Sequence, residues 1–379
     1  MAGAPATVSP PERLLCGPGP TNVDPAALEA MQRPMLGHLD PHLHQILLEL
    51  VGLLREVYGA NSGLVLPVQA TGTSGMEAGI ANLAEPGDTI IVGVNGYFGR
   101  RIAEMGRRAG AEVVEVSADW GEHVPNERLL AAADQHPDAR LLAVVHAETS
   151  TGSEHPLAEL GAAMRDRETL LMVDCVTSLG GVELDFDGWS IDYAYSCTQK
   201  CLGAPPGMSP VALSDRALER VRGRETPVPF SLDLQLLEGY WVERPATYHH
   251  TAPILHVYAL HEVLRQTVTE GVEQRWARHT EAGRHFQRGA LDAGFELLAE
   301  PEHQLSPLTA IRVPDGVDGK AVQKAMLEEG IEVGGGLGPD APAIWRVGLM
   351  GPNADTETAD RVLGALRSAV ERQGAAVAG

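Results

Sequence analysis

Positive charge is in short supply. Lysine and arginine number 29 against 51 aspartates and glutamates, so the 379-residue chain carries a net charge of −22 at pH 7. A surface that acidic repels phosphate backbones and anionic headgroups, which argues against nucleic acid or a membrane surface as a partner. Cysteine is scarce: the four are Cys16, Cys175, Cys197 and Cys201, and none forms a Cys-x-x-Cys pair. Such usage speaks against a disulfide framework and fits reduced thiols in the cytoplasm. No run of about 18 apolar residues occurs, so no membrane-spanning helix is expected. The opening MAGAPATVSP lacks the basic and apolar stretches of a signal peptide, and the terminal Ala-Ala-Val-Ala-Gly is not a peroxisomal address, so the expected location is the cytoplasm. Glycine (42) and proline (26) stay below the ~25–30 % share of low-complexity chains, and 44 % hydrophobic residues can fill a sizeable core.

What is present divides the chain. Residues 1–24 are rich in Pro and Gly and read as an extended arm ending in Gly17-Pro18-Gly19-Pro20. Between Pro41 and Tyr58, Ile46, Leu47, Leu50, Leu53, Leu54 and Val57 recur at helical spacing. From about residue 62, short apolar runs alternate with helical segments or turns: Leu64–Val68, Thr89–Val94, Glu112–Val116, Leu141–His146, Leu170–Asp174 and Tyr193–Cys197. That alternation predicts an α/β fold with a mainly parallel sheet covered by helices. Ala252–Ala293 reads as largely helical. Strand candidates Thr309–Val313 and Ile344–Gly348 then flank a helical run Lys320–Glu329, with a last helix near Thr356–Arg372. The expected organisation is an arm (1–24), a large α/β domain (25–265) and a smaller α+β domain (266–379).

Three segments carry chemistry. Asp174 ends the apolar run Leu170–Asp174, where open α/β sheets place ligands. Lys200 follows a strand, within Ser196-Cys197-Thr198-Gln199-Lys200-Cys201-Leu202-Gly203. Small and apolar neighbours of that kind lower a lysine's pKa and free its amine for imine chemistry. Ala70-Thr71-Gly72-Thr73-Ser74-Gly75 separates a strand from a helix and can aim N–H groups and hydroxyls at a phosphate. It is neither a Walker A loop nor a Gly-x-Gly-x-x-Gly turn. A lysine, an acid and an anion cradle are what pyridoxal phosphate requires. Singly, each segment also has a plain reading as a loop carboxylate, a snorkelling lysine or an ordinary helix cap.

In these residues the chain resembles the class V aminotransferases of fold type I, and within them the alanine–glyoxylate and serine–glyoxylate branch. The resemblance runs from Leu15-Cys16-Gly17-Pro18-Gly19-Pro20 to Trp345-Arg346-Val347-Gly348. It passes through Glu85–Asp88, His146-Ala147-Glu148-Thr149-Ser150-Thr151-Gly152, Asp174–Gly181 and Tyr248-His249-His250-Thr251. It implies a large domain with a mainly parallel sheet, a smaller C-terminal domain and pyridoxal phosphate as cofactor. Lys200 would be the Schiff-base lysine and proton carrier, with Asp174 on the pyridinium nitrogen. Val176 and Phe98 would pack the two faces of the ring. Thr71, Gly72 and Thr73 would cradle the phosphate, Thr149 would lie near the phenolic oxygen, and Gln199 would precede the lysine. Tyr248 and Thr251 would reach the phosphate from a neighbouring subunit, making a homodimer with composite sites. Arg346 would fork onto the substrate α-carboxylate, beside Thr149. The implied substrates are a small amino acid and a 2-oxo acid.

Alternatives within the family are serine–pyruvate, ureidoglycine–glyoxylate and pyridoxamine–pyruvate transamination. A cysteine desulfurase needs a nucleophilic cysteine on a late loop, and no cysteine follows Cys201. A non-catalytic cofactor-binding protein would have lost Lys200, Asp174 or Arg346, and all three are present. No metal centre is expected. Adjacent His249 and His250 cannot readily share one tetrahedral ion, and His38, His42 and His44 read as a polar loop and helix start.

Overall fold

The computed structural model describes residues 7–374. Its strands are β1 (Leu14–Leu15), β2 (Leu64–Gln69), β3 (Thr89–Val94), β4 (Glu112–Ser117), β5 (Leu141–Val145), β6 (Ala147–Glu148) and β7 (Ser153–Glu154). They continue with β8 (Leu170–Asp174), β9 (Tyr193–Tyr195), β10 (Met208–Leu213), β11 (Leu308–Arg312), β12 (Ile331–Glu332), β13 (Gly334–Gly335) and β14 (Ile344–Gly348). The main sheet has the order β2-β10-β9-β8-β5-β3-β4. β3, β4, β5, β8 and β9 are mutually parallel. β10 alone is reversed, antiparallel to both β2 and β9. β5 and β8 are buried at every position, because helices cover both faces of the sheet and every side chain must be apolar or paired.

The mainly parallel α/β sheet expected from the sequence is thus present, with one strand that no apolar run marked. β10 carries Pro210 at its centre, a residue that ordinarily argues against an interior strand. Here Pro210 stands opposite Pro67 of β2, so the two residues lacking an N–H face each other. The Pro210 carbonyl is still used, by the Ser196 N–H and the Tyr58 hydroxyl, each at 2.8 Å.

The helix Pro41–Tyr58 matches its expected bounds. Asp40 caps it, Pro41 sits where its missing N–H costs nothing, and Gly59 closes it with φ of 69°. The 252–293 stretch forms two helices, Ile254–Glu270 and Val272–Asp292, broken at Gly271. β11, β14 and β13 form an antiparallel sheet. Its buried cluster, including Phe286, Trp345 and Leu366, is separate from the cluster around the main sheet. The arm is less free than its composition implies. β1 pairs in parallel with β12, and the Gly348 N–H donates to the Cys16 carbonyl, so residues 14–16 belong to the C-terminal sheet region. All four cysteines are free and buried, and among the described residues no helix is long and apolar enough to cross a membrane.

Direction decides where the site lies. β2, β3, β5, β8 and β9 point the same way, so their carboxyl ends share one edge of the sheet. Thr71 follows β2, Phe98 follows β3, Thr149 follows β5, Asp174 ends β8 and Lys200 follows β9. Five segments far apart in the chain are gathered by topology alone.

Candidate active site

Asp174 is 2 % exposed. Its Oδ1 accepts from the Val176 N–H at 2.8 Å and its Oδ2 from the Tyr195 hydroxyl at 2.6 Å. Burial pushes the carboxyl up to about 6, even though both hydrogen bonds favour the ionised form. This acid is short of a cation.

Lys200 is buried in the turn after β9, where the Gly203 N–H donates to its carbonyl at 2.9 Å. Its Nζ donates to the Pro18 carbonyl of the arm. Gly19, with φ of +105°, lies against the lysine side chain, and a Cβ there would stand 2.9 Å from Nζ. Only glycine suits that backbone and that approach. Burial lowers the lysine's pKa; Cys197 opposes the shift and Arg346 adds to it. Losing charge makes the amine a nucleophile.

Arg346, on β14, is 6 % exposed. Its Nε donates to the Gly335 carbonyl at 2.7 Å and its Nη1 to the Thr149 carbonyl at 3.1 Å. Among the described residues no carboxylate forms an ion pair with it. Burial pulls its pKa down to about 10, against the pull of Glu148. Glu148, fully buried on β6, is committed elsewhere. Its Oε2 accepts from the N–H groups of Phe98 (3.0 Å) and Gly99 (3.3 Å), and its Oε1 from the Ser150 N–H (2.9 Å) and hydroxyl (2.6 Å). A carboxylate from one strand therefore caps the helix Tyr97–Arg108 that follows another, and fixes the backbone of Phe98.

The Thr71 turn is built on strain. Ala70, though not glycine, has φ of 82°, a conformation that costs of order 1–3 kcal/mol. Thr71 starts the helix Gly72–Leu83 without using its hydroxyl as a cap. Gly72 packs on Val176: a Cβ would stand 2.7 Å from Val176 Cγ2. The Thr73 hydroxyl accepts from Arg101 at 3.3 Å, and the Arg101 guanidinium lies over the Tyr97 and Phe98 rings at 4.9 and 5.0 Å. Among the described residues Gln199 Oε1 is buried without a partner. Tyr248 is 55 % exposed with its ring against His38, and Thr251 is exposed as well, so neither is buried with Lys200 and Asp174.

Reading the sequence missed three participants. Glu148 lies within His146–Gly152, where a carboxylate amid His, Thr and Ser is its only signal. Tyr195 reads as a core strand residue. Pro18 contributes a carbonyl, which leaves no trace in side-chain chemistry.

Comparison with known proteins bears on this geometry. The family described as Aminotransferase class-V matches residues 18–351. The chain belongs to the class-V aminotransferases. An alanine–glyoxylate aminotransferase from Oryctolagus cuniculus is 38 % identical over 366 residues, 95 % of this chain and 93 % of that protein. The crystal structure of an alanine–glyoxylate aminotransferase from Nostoc sp. superposes with a TM-score of 0.93 at 46 % identity, covering 96 % of this chain and 97 % of that one. A ureidoglycine–glyoxylate aminotransferase from Bacillus subtilis gives 0.95 at 34 % identity, covering 98 % and 96 %. The fold is that of the fold type I enzymes, and the cofactor of this class-V aminotransferase is pyridoxal phosphate. The residues fit that group. A buried amine, a buried acid lacking a cation, an uncapped helix start and the unpartnered Gln199 Oε1 offer an imine donor, a ring-nitrogen partner, an anion cradle and a spare acceptor.

Proposed function

We propose that the chain moves the amino group of a small amino acid, alanine or serine, to glyoxylate, in two half-reactions at the site just described. The observation that carries this reading is Arg346: a buried guanidinium near Lys200, tied to two carbonyls and paired with no carboxylate. A substrate α-carboxylate is the anion it lacks, and a guanidinium can take it with two parallel bonds. The alanine–glyoxylate activity named for the Nostoc and rabbit relatives supports the choice of substrates.

When bound, pyridoxal phosphate supplies a carbonyl that condenses with amines and a ring that withdraws electrons from the substrate Cα. The chain's residues do the rest. Lys200 would hold the cofactor through its Nζ, and its amine, whose pKa burial lowers, would carry the proton to and from the substrate Cα. Asp174 would hold the ring nitrogen in its protonated form, and that cation would favour the ionised carboxyl. Thr71, Gly72 and Thr73 take the phosphate. Val176 and Phe98 would cover the ring, and Glu148 positions Phe98 through the helix start. The Thr149 hydroxyl and Gln199 fix the cofactor's polar edge. The small amino-acid and oxo-acid substrates are held by Arg346, a local positive centre in an acidic protein.

Tyr248 and Thr251 complete the phosphate site of a second subunit in a homodimer. Exposed Met35 (70 %), Leu39 (51 %) and Phe230 (65 %) support such an interface near Tyr248. A cleft of about 800 Å³ beside Thr73, lined by Tyr97, Arg101 and Pro229, has room for a segment of the neighbour. The two largest hydrophobic clusters support the division into 25–265 and 266–379, and a small one of Ala147, Val182, Leu305 and Leu308 joins the two parts. The free buried thiols agree with a cytoplasmic location.

Donor profiling of the purified holoenzyme tests the assignment. Alanine or serine with glyoxylate should turn over fastest, and Lys200→Ala should abolish both turnover and the visible band of the lysine-bound cofactor. Preference for (S)-ureidoglycine or pyridoxamine would transfer the chain to another branch. An active Lys200→Ala protein would remove the mechanism.

A further inference from the structure

Away from this site, two imidazoles and a carboxylate converge at the seam between the main sheet and the C-terminal region. His123 lies in the loop between β4 and the helix Asn126–Gln135. Glu300 and His303 bracket the short 3₁₀ turn Pro301–His303. In that helical form residues three apart eclipse, so Glu300 and His303 present their side chains on one side. His123 Nδ1 stands 3.2 Å from Glu300 Oε2, and the His123 and His303 rings are 3.7 Å apart between centroids. One donor atom from each of the three residues lies within 4.8 Å of the others, and all three side chains are partly open to solvent.

The two backbones are locked together. The Glu300 N–H donates to the Gly121 carbonyl at 3.1 Å, and the His303 N–H to the Glu300 carbonyl at 2.9 Å. Gly121, with φ of +94°, lies against the Leu298 backbone too closely for any side chain. The donors thus hang from a frame that is set before any ligand arrives, which reduces the ordering cost of binding.

We propose that His123, Glu300 and His303 form a surface site for one divalent transition ion of the zinc type, with water completing the coordination. Two nitrogens and one carboxylate oxygen suit Zn²⁺, Ni²⁺ or Co²⁺ and not the oxygen-seeking Mg²⁺ or Ca²⁺. A tetrahedral ion with bonds of about 2.1 Å spaces its donors about 3.4 Å apart. The His123–Glu300 pair already has nearly that spacing. With every donor pair within 4.8 Å, His303 has at most about 1.4 Å to close, by the same bond lengths. His155 is nearby, its ring 6.3 Å from that of His123, but its Nε2 is held by Asn126 Oδ1 at 3.0 Å, so it stays outside the set. An ion here joins the β4 loop to the segment leading into β11. Its effect is to brace one region against the other, independently of amino transfer.

The test uses untagged holoenzyme, stripped with a chelator and titrated with Zn²⁺ by calorimetry and with Co²⁺ by visible absorption. One Zn²⁺ per chain should bind, Co²⁺ should develop ligand-field bands, and Zn²⁺ should raise the melting temperature. His303→Ala and His123→Ala should each weaken Zn²⁺ binding at least 10-fold while amino transfer persists, and His285→Ala, a histidine at a remote ion pair, should leave it unchanged. No binding to the wild type, or binding that both site variants retain, overturns the proposal. Should one variant fold poorly, the other and the wild-type Co²⁺ spectrum still decide.

Discussion

Arg275 and Arg346 are both buried, 6 % exposed each, and their surroundings differ in one respect. Arg275, on the helix Val272–Asp292, pairs with Glu270 at 2.9 Å and donates to the carbonyls of Cys201 (2.8 Å) and Leu202 (3.2 Å). Its neighbour Arg278 shares the same Glu270 at 2.7 Å. Arg346 has carbonyls only. The first arginine is neutralised inside the chain and braces the loop after Lys200. The second waits for an anion. Asp174 repeats the lesson with opposite sign, an acid held by two hydrogen bonds and no cation. In this protein a buried arginine with an opposite charge beside it braces the fold, and two buried charges that hold only hydrogen bonds, Arg346 and Asp174, are those the proposed function sets against substrate and cofactor.

The comparison can be broken by substitution. Arg275→Ala leaves Glu270 partly uncompensated and should cost about 3–5 kcal/mol of stability by denaturant melts, with turnover per folded molecule nearly preserved. A large loss of turnover without loss of stability would erase the distinction. Asp174→Asn should act in the reverse sense on the cofactor-free chain. The folded carboxyl titrates near 6, above its ordinary value of about 3.9, so the folded state holds the extra proton between those values. Stability therefore declines as pH rises from about 4 to about 6 and stays reduced above. Removing the acid should restore up to about 2–3 kcal/mol at pH 8 and flatten that profile, while transamination is lost. Identical pH profiles for both apoproteins would show that Asp174 bears no such cost.

Arg346→Lys keeps the charge and forfeits the fork. Catalytic efficiency should fall about 10- to 100-fold for amino and oxo acids alike, with the melting temperature almost unmoved. A purely thermal effect would make Arg346 another Arg275. Tyr248→Phe is the mildest change. If its hydroxyl reaches the neighbouring subunit's phosphate, cofactor release should quicken by a factor of about 2–10, the value of one hydrogen bond. Unaltered release would take Tyr248 out of the site.

Asp174, Lys200 and the Thr71 turn were readable in the sequence because each ends or follows an apolar run, and strand ends are where a parallel sheet gathers its chemistry. Arg346 was readable as a residue but not as a vacancy. Its condition depends on Thr149 and Gly335 offering carbonyls and on Glu148 being spent on Phe98, Gly99 and Ser150, and the contacts with Thr149 and Phe98 span 197 and 50 positions. β10 was hidden because Pro210 breaks the strand pattern, and its exemption comes from facing Pro67, a matter of register. The arm was hidden for a related reason: pairing with β12 is a backbone event that leaves composition unchanged.

That arm also works as a tether. Cys16 is fastened to Gly348 and Pro18 to the Lys200 amine, and Gly17 alone stands between the anchors, about 7 Å of fully stretched chain. Gly348 lies two positions from Arg346 on the same strand. A swing of the C-terminal sheet beyond that slack must tug the amine or snap its grip on Pro18. Movement at the strand of Arg346 is thereby geared to the Lys200 amine.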